Sequence, residues 1–152
     1  MIDKTKLRLS LEFIFGKDTG STIPFEKIEM SRSRRTGRLK NFSLDGEMLG
    51  SFRSDGGIAL TLYGANFLYS RGALKANSIK ISKDASEAVS KGLSLFAKHC
   101  ISCGENVRPS SEAILVGPSG KTVAVGKALL SSEAIKQFKS GVAVKVRQGA
   151  DN

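Results

Sequence analysis

The sequence predicts an α+β protein made of two small domains, residues 1–77 and 78–152. Three observations carry that reading. Gly-rich turn signatures recur between short runs in which apolar and polar residues alternate. Two segments, Ser82 to Gly92 and Ser132 to Gly141, carry helical spacing between such runs. A polar, small-residue stretch from Ser70 to Asn77 then divides the chain near its middle. A length of 152 residues suits one ordinary domain or two small ones.

The first segment is ambiguous. Leu7, Leu9, Leu11 and Phe13 alternate with Arg8, Ser10 and Glu12, which favours a strand, while Leu7, Leu11, Ile14 and Phe15 would also stripe a helix. The two stand nearly level. Gly16 to Ser21 is a loop. Asp45-Gly46 between Leu39–Leu44 and Met48–Phe52 is a strong hairpin signature. Ser54-Asp55-Gly56-Gly57 leads into a third run, Ile58–Leu62, so three adjacent antiparallel strands are expected. Ala65, Phe67 and Leu68 suggest a short helix against them.

In the second half, Ile79-Lys80-Ile81 reads as a strand. Ser82 is a plausible N-cap for a helix with Ala85, Ala88 and Val89 inward, ending near Gly92. A strand over Leu93–Ala97 follows, then a loop over Val107–Ser111. Ser132 caps a second helix carrying Ala134, Ile135 and Phe138, closed by Gly141. The last strand directs Val142, Val144 and Val146 inward and Ala143, Lys145 and Arg147 outward. A mostly β unit of this size with two short helices fits a small barrel, which removes exposed sheet edges.

Gly117-Pro118-Ser119-Gly120-Lys121-Thr122 imitates the end of a phosphate-binding loop. The first glycine of G-x-x-x-x-G-K-[ST] falls on Leu115, and β-branched Thr122-Val123-Ala124-Val125 continues as a strand where a helix is required. Gly117–Gly120 is therefore expected to be a hairpin turn, without nucleotide binding.

Composition narrows the function. Hydrophobic residues make up 40% and charged residues 25%, a soluble globular balance. No apolar run spans a bilayer and the start lacks the core of a signal peptide, so a cytoplasmic protein is expected. Lys plus Arg number 24 against 14 Asp plus Glu, giving +10, and each half carries +5. A distributed excess suggests a polyanionic partner. Cys100 and Cys103 have no second CxxC pair, and His99 adjoins them without completing a metal site. If Phe96–Cys103 is a strand, they face opposite ways about 10 Å apart, beyond the roughly 7 Å Cα limit of a disulfide. Both are expected as reduced structural thiols.

Several motifs carry a resemblance. Gly92-Leu-Ser-Leu-Phe-Ala-Lys98, Arg108-Pro109, Ala124-Val-Gly-Lys-Ala128 and Gly141-Val-Ala-Val-Lys-Val-Arg147 look like a PUA domain, a small pseudo-barrel that binds structured RNA. Upstream, Phe15-Gly16, Ser33-Arg-Arg-Thr-Gly-Arg38, Asp45-Gly-Glu47, Asp55-Gly56 and Gly64-Ala65 resemble the domain before PUA in archaeal tRNA-guanine transglycosylases, the archaeosine enzymes. The resemblance implies an α+β domain with a small antiparallel sheet followed by a PUA-type pseudo-barrel. It implies tRNA binding without catalysis, since no segment here corresponds to the catalytic barrel, with a separate catalytic chain as a candidate partner. The family's usual acidic or glycine residues after Arg-Pro are Ser110 and Ser111 here.

Carried over position by position, the resemblance selects Lys91, Gly92, Lys98, Gly126, Lys127, Lys145 and Arg147 for RNA contact. The residues themselves agree in part: lysines neutralise phosphate and a glycine lets it approach the backbone. Arg32, Arg34, Arg35 and Arg38 form the densest basic cluster, and planar guanidinium forks suit phosphate oxygens. No cofactor or metal is expected. The alternatives are a stand-alone RNA-modifying enzyme, for which no paired carboxylates, Cys/His nucleophile pattern or Gly-rich cofactor loop are present, and a general RNA-binding adaptor in ribosome- or translation-related complexes. A membrane-surface role lacks a basic amphipathic helix.

Overall fold

The computed structural model describes residues 2–152, and the chain divides into two compact units, Met1–Leu74 and Lys75–Asn152. The first opens with helix α1, Ile2–Phe15. Leu7, Leu11 and Phe15, spaced by four, are buried, whereas Leu9 and Phe13 are exposed. Of the two nearly level readings the helix holds, and the period-two alternation arises from two apolar helix faces. The unit continues with strands β1 (Ile28–Arg32), β2 (Leu39–Leu44), β3 (Glu47–Phe52) and β4 (Ile58–Leu60), paired antiparallel in that order. Strand β1 went unanticipated because exposed residues interrupt its alternation. Asp45 and Gly46 both take positive φ, 52° and 83°, as a tight hairpin requires. The Thr61 hydroxyl accepts from Gly64 N–H and caps helix α2 (Leu62–Ser70). Gly64 is obligatory there, since a Cβ would stand 2.0 Å from the Leu49 carbonyl oxygen.

The second unit has a six-stranded sheet. Its strands are β5 (Ser78–Ile81), β6 (Leu95–Phe96), β7 (Cys100–Cys103), β8 (Glu112–Val116), β9 (Thr122–Ala128) and β10 (Val142–Gly149), in the order β6-β10-β9-β8-β5-β7. The outermost strands, β6 and β7, are joined only by the 3-10 turn Ala97–His99. So short a link draws the two sheet edges together, and the sheet curls into a near-barrel. Helix α3 (Lys83–Ser90) is capped by Ser82 and followed by Gly92 at φ 94°. Helix α4 (Ser132–Phe138) is capped by Ser131, one residue earlier than expected, because Ser132 is buried and its N–H donates to the Val107 carbonyl. Phe138 is 66% exposed rather than inward, so Ile135 is the hydrophobic anchor of this helix. Ala143, expected outward, is fully buried. Gly117–Gly120 forms the anticipated turn between β8 and β9, with Gly117 N–H donating to the Lys121 carbonyl, and no helix begins at Lys121. Among the described residues no helix is long and apolar enough to cross a membrane.

Candidate nucleic-acid interface

Strand β10 organises the cations of the second unit. Near its start, Ala97 N–H donates to the Gly141 carbonyl, which places the exposed Lys98 beside that end of the strand. At its middle, Lys145 stands directly opposite Lys127 of β9, both exposed. At its far end, Gly149 packs on the end of α3, where a Cβ would sit 2.4 Å from the Val89 and Ser90 carbonyl oxygens. Asp151 N–H donates to the Ser90 carbonyl at 2.7 Å, immediately before Lys91 and Gly92. Lys98 and Lys91 therefore lie near the two ends of β10, with the Lys127/Lys145 pair at its middle.

The Lys127/Lys145 pair is electrostatically unfavourable by itself. Directly opposed residues on antiparallel strands hold their Cβ atoms about 5 Å apart, and like charges there are destabilising. Glu112 lies in the same cross-strand row, opposite Lys127, but is 2% exposed and engaged elsewhere. Both its carboxylate oxygens receive the Arg147 guanidinium, Oε1 at 3.0 Å from Nη1 and Oε2 in a short contact with Nη2. Arg147 sits at the irregularity where the β9–β10 register shifts between Val146 and Gln148. Its fork is thus committed to Glu112, which neutralises a buried carboxylate and leaves the two lysines as the uncompensated charge of the row.

The glycines divide. Gly126 is buried, and a Cβ would stand 2.2 Å from the Lys145 carbonyl oxygen, so close strand packing requires a glycine there. Gly92 is half-buried, and the Asn152 amide occupies the place of its missing side chain, with Nδ2 2.5 Å from an added Cβ. Asn152 in turn accepts from Gly149 N–H at 2.8 Å through Oδ1. Sequence reasoning missed Asn152 because its proximity to Gly92 is a tertiary contact.

In the first unit, the β1–β2 connection carries the arginine cluster. Ser33 N–H donates to the Arg38 carbonyl and Gly37 N–H to the Ser33 carbonyl, both at 2.8 Å. Arg32 is a brace: it donates to the Gly37 carbonyl at 2.7 Å and pairs with Asp3 of α1 at 2.5 Å. Arg34, Arg35 and Arg38 are exposed on this tip, and their guanidinium groups have no partner among the described residues.

The cysteines differ from expectation. Cys103 pairs with Ile79 and Cys100 with Ile81, so an extra residue in β7 brings both thiols to the same face, against the core. Both are free. Burial, and then the neighbouring Cys103, push the Cys100 thiol up to about 12. Burial also raises Cys103, opposed by a hydrogen bond to Ser132 and by the Lys136 charge. Such thiols stay protonated and unreactive at neutral pH. His99 approaches the Ser82 hydroxyl at 3.4 Å, at the N-cap of α3. Among the described residues, no three His, Cys, Asp or Glu side chains are grouped to hold a metal ion.

The chain is similar to known proteins in sequence and in fold. Residues 5–72 match the patch-forming domain C2 of tRNA-guanine transglycosylase, and residues 77–150 match the PUA domain. A tRNA-guanine(15) transglycosylase of Thermoplasma acidophilum is 31% identical over 147 residues, covering 96% of this chain and 23% of that protein. The enzyme of Thermococcus onnurineus is 33% identical over 141 residues, covering 92% and 24%. The chain thus spans about a quarter of the length of these curated relatives, as a part like their C-terminal region. The crystal structure of a hypothetical protein from Pyrococcus horikoshii OT3 shares the fold over 99% of this chain and 92% of its own, with TM-score 0.78 at 18% identity. A conserved PUA domain protein from Thermoplasma acidophilum does so over 98% and 91%, with TM-score 0.71 at 16% identity. The chain thus consists of a patch-forming C2 domain of the tRNA-guanine transglycosylase type followed by a PUA domain.

Proposed function

We propose that the protein binds structured RNA, tRNA foremost, without catalysing a reaction itself, and that it serves as a separate subunit beside a catalytic chain of tRNA-guanine transglycosylase type. The observation that carries this reading is the opposed pair Lys127 on β9 and Lys145 on β10, with Lys98 and Lys91 near the two ends of β10. A phosphate between the two lysines turns a repulsive pair into an attractive triad, and a folded RNA supplies phosphates at a spacing that one strand can follow. Arg34, Arg35 and Arg38 offer a second set of phosphate contacts in the first unit. The resemblance to part of tRNA-modifying enzymes supports tRNA over other folded RNAs. Exposed aromatic side chains along β10 are few, which favours a backbone-reading mode over base stacking.

Titration of labelled tRNA at several salt concentrations tests the proposal. Affinity falls steeply with salt, and Lys127→Thr with Lys145→Thr flattens the log-log slope by about one to two units. Lys127→Thr alone weakens binding yet raises stability by roughly 0.2–1 kcal/mol at low salt, as expected of a like-charge pair retained for a ligand. Unchanged tRNA affinity in the folded double variant refutes the site.

A further inference from the structure

Helix α1 carries two apolar faces. At about 100° per residue, the buried Leu7, Leu11 and Phe15 centre on one side, and Ile2, Leu9 and Phe13 centre on the opposite side. The outer three are 84%, 57% and 91% exposed. With Thr5, Lys6 and Ser10 they line a shallow groove of ≈ 580 Å³. Large apolar side chains grouped this way mark an interaction surface rather than scattered exposure. The other ionic groups of the helix are engaged within the same unit: Asp3 pairs with Arg32, Glu12 with Arg8 one turn away, and Lys4 donates to the Glu26 carbonyl. Lys6 alone stands in the groove without a partner among the described residues.

We infer that this face of α1 docks a protein partner that offers an apolar ridge to Leu9 and Phe13 and a carboxylate to Lys6, and that this partner is the catalytic chain. The inference rests on the separate-subunit reading above. A second copy of this protein is a poor occupant. A two-fold contact sets the same patch against itself, and Lys6 lies near the middle of the Ile2–Phe13 stripe. Two ammonium groups would meet where water is excluded and no acid is left to separate them. Six residues also fall well short of the roughly 20–30 per side of a standard interface, so the stripe is the apolar centre of a broader contact. About three-quarters of the length of the curated relatives lies outside the part that this chain matches, ample surface for one.

The test is calorimetric titration of the full chain with a purified tRNA-guanine transglycosylase-type catalytic chain from the same cells. Wild type binds saturably, Phe13→Asp weakens binding roughly thirtyfold or more, and Lys6→Glu weakens it about tenfold. Far-UV circular dichroism and tRNA affinity stay unchanged in both. A photo-crosslinking phenylalanine analogue in place of Phe13 then labels the catalytic chain, a readout that does not depend on a disruptive substitution. Binding that is equal in wild type and variants, with no crosslink, overturns the docking face while leaving the subunit reading intact. No binding by wild type overturns the subunit reading, and the docking assignment with it. Self-association abolished by Phe13→Asp, or binding of α1 to lipid vesicles in place of the catalytic chain, names another occupant and also overturns it.

Discussion

Replacing Arg147 by alanine separates a structural cation from a ligand-binding one. The Glu112 side chain is 1% exposed and that of Arg147 is 39% exposed. Removing one partner of a fully buried ion pair costs about 3–5 kcal/mol, because the remaining charge is stranded. Solvent reaches more than a third of the Arg147 side chain and screens part of that effect, so about 2 kcal/mol is expected. For a unit of this size that lowers Tm by roughly 8–16 °C. Lys145→Ala, two residues earlier on the same strand, removes an exposed charge opposed by Lys127 and should change stability by less than about 0.5 kcal/mol. Glu112→Gln added to Arg147→Ala should recover part of the loss, since a neutral amide is cheaper to bury than an unpaired carboxylate. Urea unfolding of the four proteins measures all of this. If Arg147→Ala and Lys145→Ala are equally stable, the guanidinium is not holding Glu112, and its assignment away from RNA contact is wrong.

Further substitutions probe the same framework. Gly126→Ala forces a Cβ to within 2.2 Å of the Lys145 carbonyl oxygen and should cost about 1–3 kcal/mol by parting β9 from β10, read by thermal unfolding. Ser110 holds φ 73°, a conformation that glycine adopts without strain, so Ser110→Gly should stabilise by up to about 1 kcal/mol; destabilisation would show that its side chain matters more than its backbone. The thiols give a pH signature. Cys100 moves from an ordinary 9.0 to about 12 on folding, so its contribution to stability is complete below pH 9 and is lost as pH rises towards 12. Native protein should accordingly react slowly with iodoacetamide at pH 8, and rapid alkylation of both cysteines would contradict their burial.

Much of the second unit was legible in the sequence because its signals are local. A serine cap and a following glycine bracket α3, and Leu115 with the β-branched run after Lys121 excludes a phosphate loop in favour of a hairpin. The motifs from Gly92 to Arg147 also pointed to the family, since spacing along the chain survives without knowledge of contacts. Asp45-Gly46 likewise marked its hairpin, as both residues must take positive φ.

Tertiary structure decided the rest, wherever function depends on what stands across from a residue. Period-two alternation in Leu7 to Phe13 describes a strand with one apolar face or a helix with two; only burial of Leu7, Leu11 and Phe15 on one side separates them. Arg147 and Lys145 look equivalent along the chain, yet an irregularity in the β9–β10 register and a buried carboxylate 35 residues away make one a structural counter-ion and leave the other facing a second lysine. Gly126 and Gly92 likewise look alike, but one is pressed against the backbone of a neighbouring strand and the other meets the Asn152 side chain at a helix end. The extra residue in β7 turns two cysteines to the same face where regular alternation would separate them. Sequence alone determined composition, charge, turns, caps and family, because each is a property of a residue and its near neighbours. Pairing of charges, access to backbone and the direction of a side chain were decided by the tertiary structure, because they depend on partners brought together only by the fold.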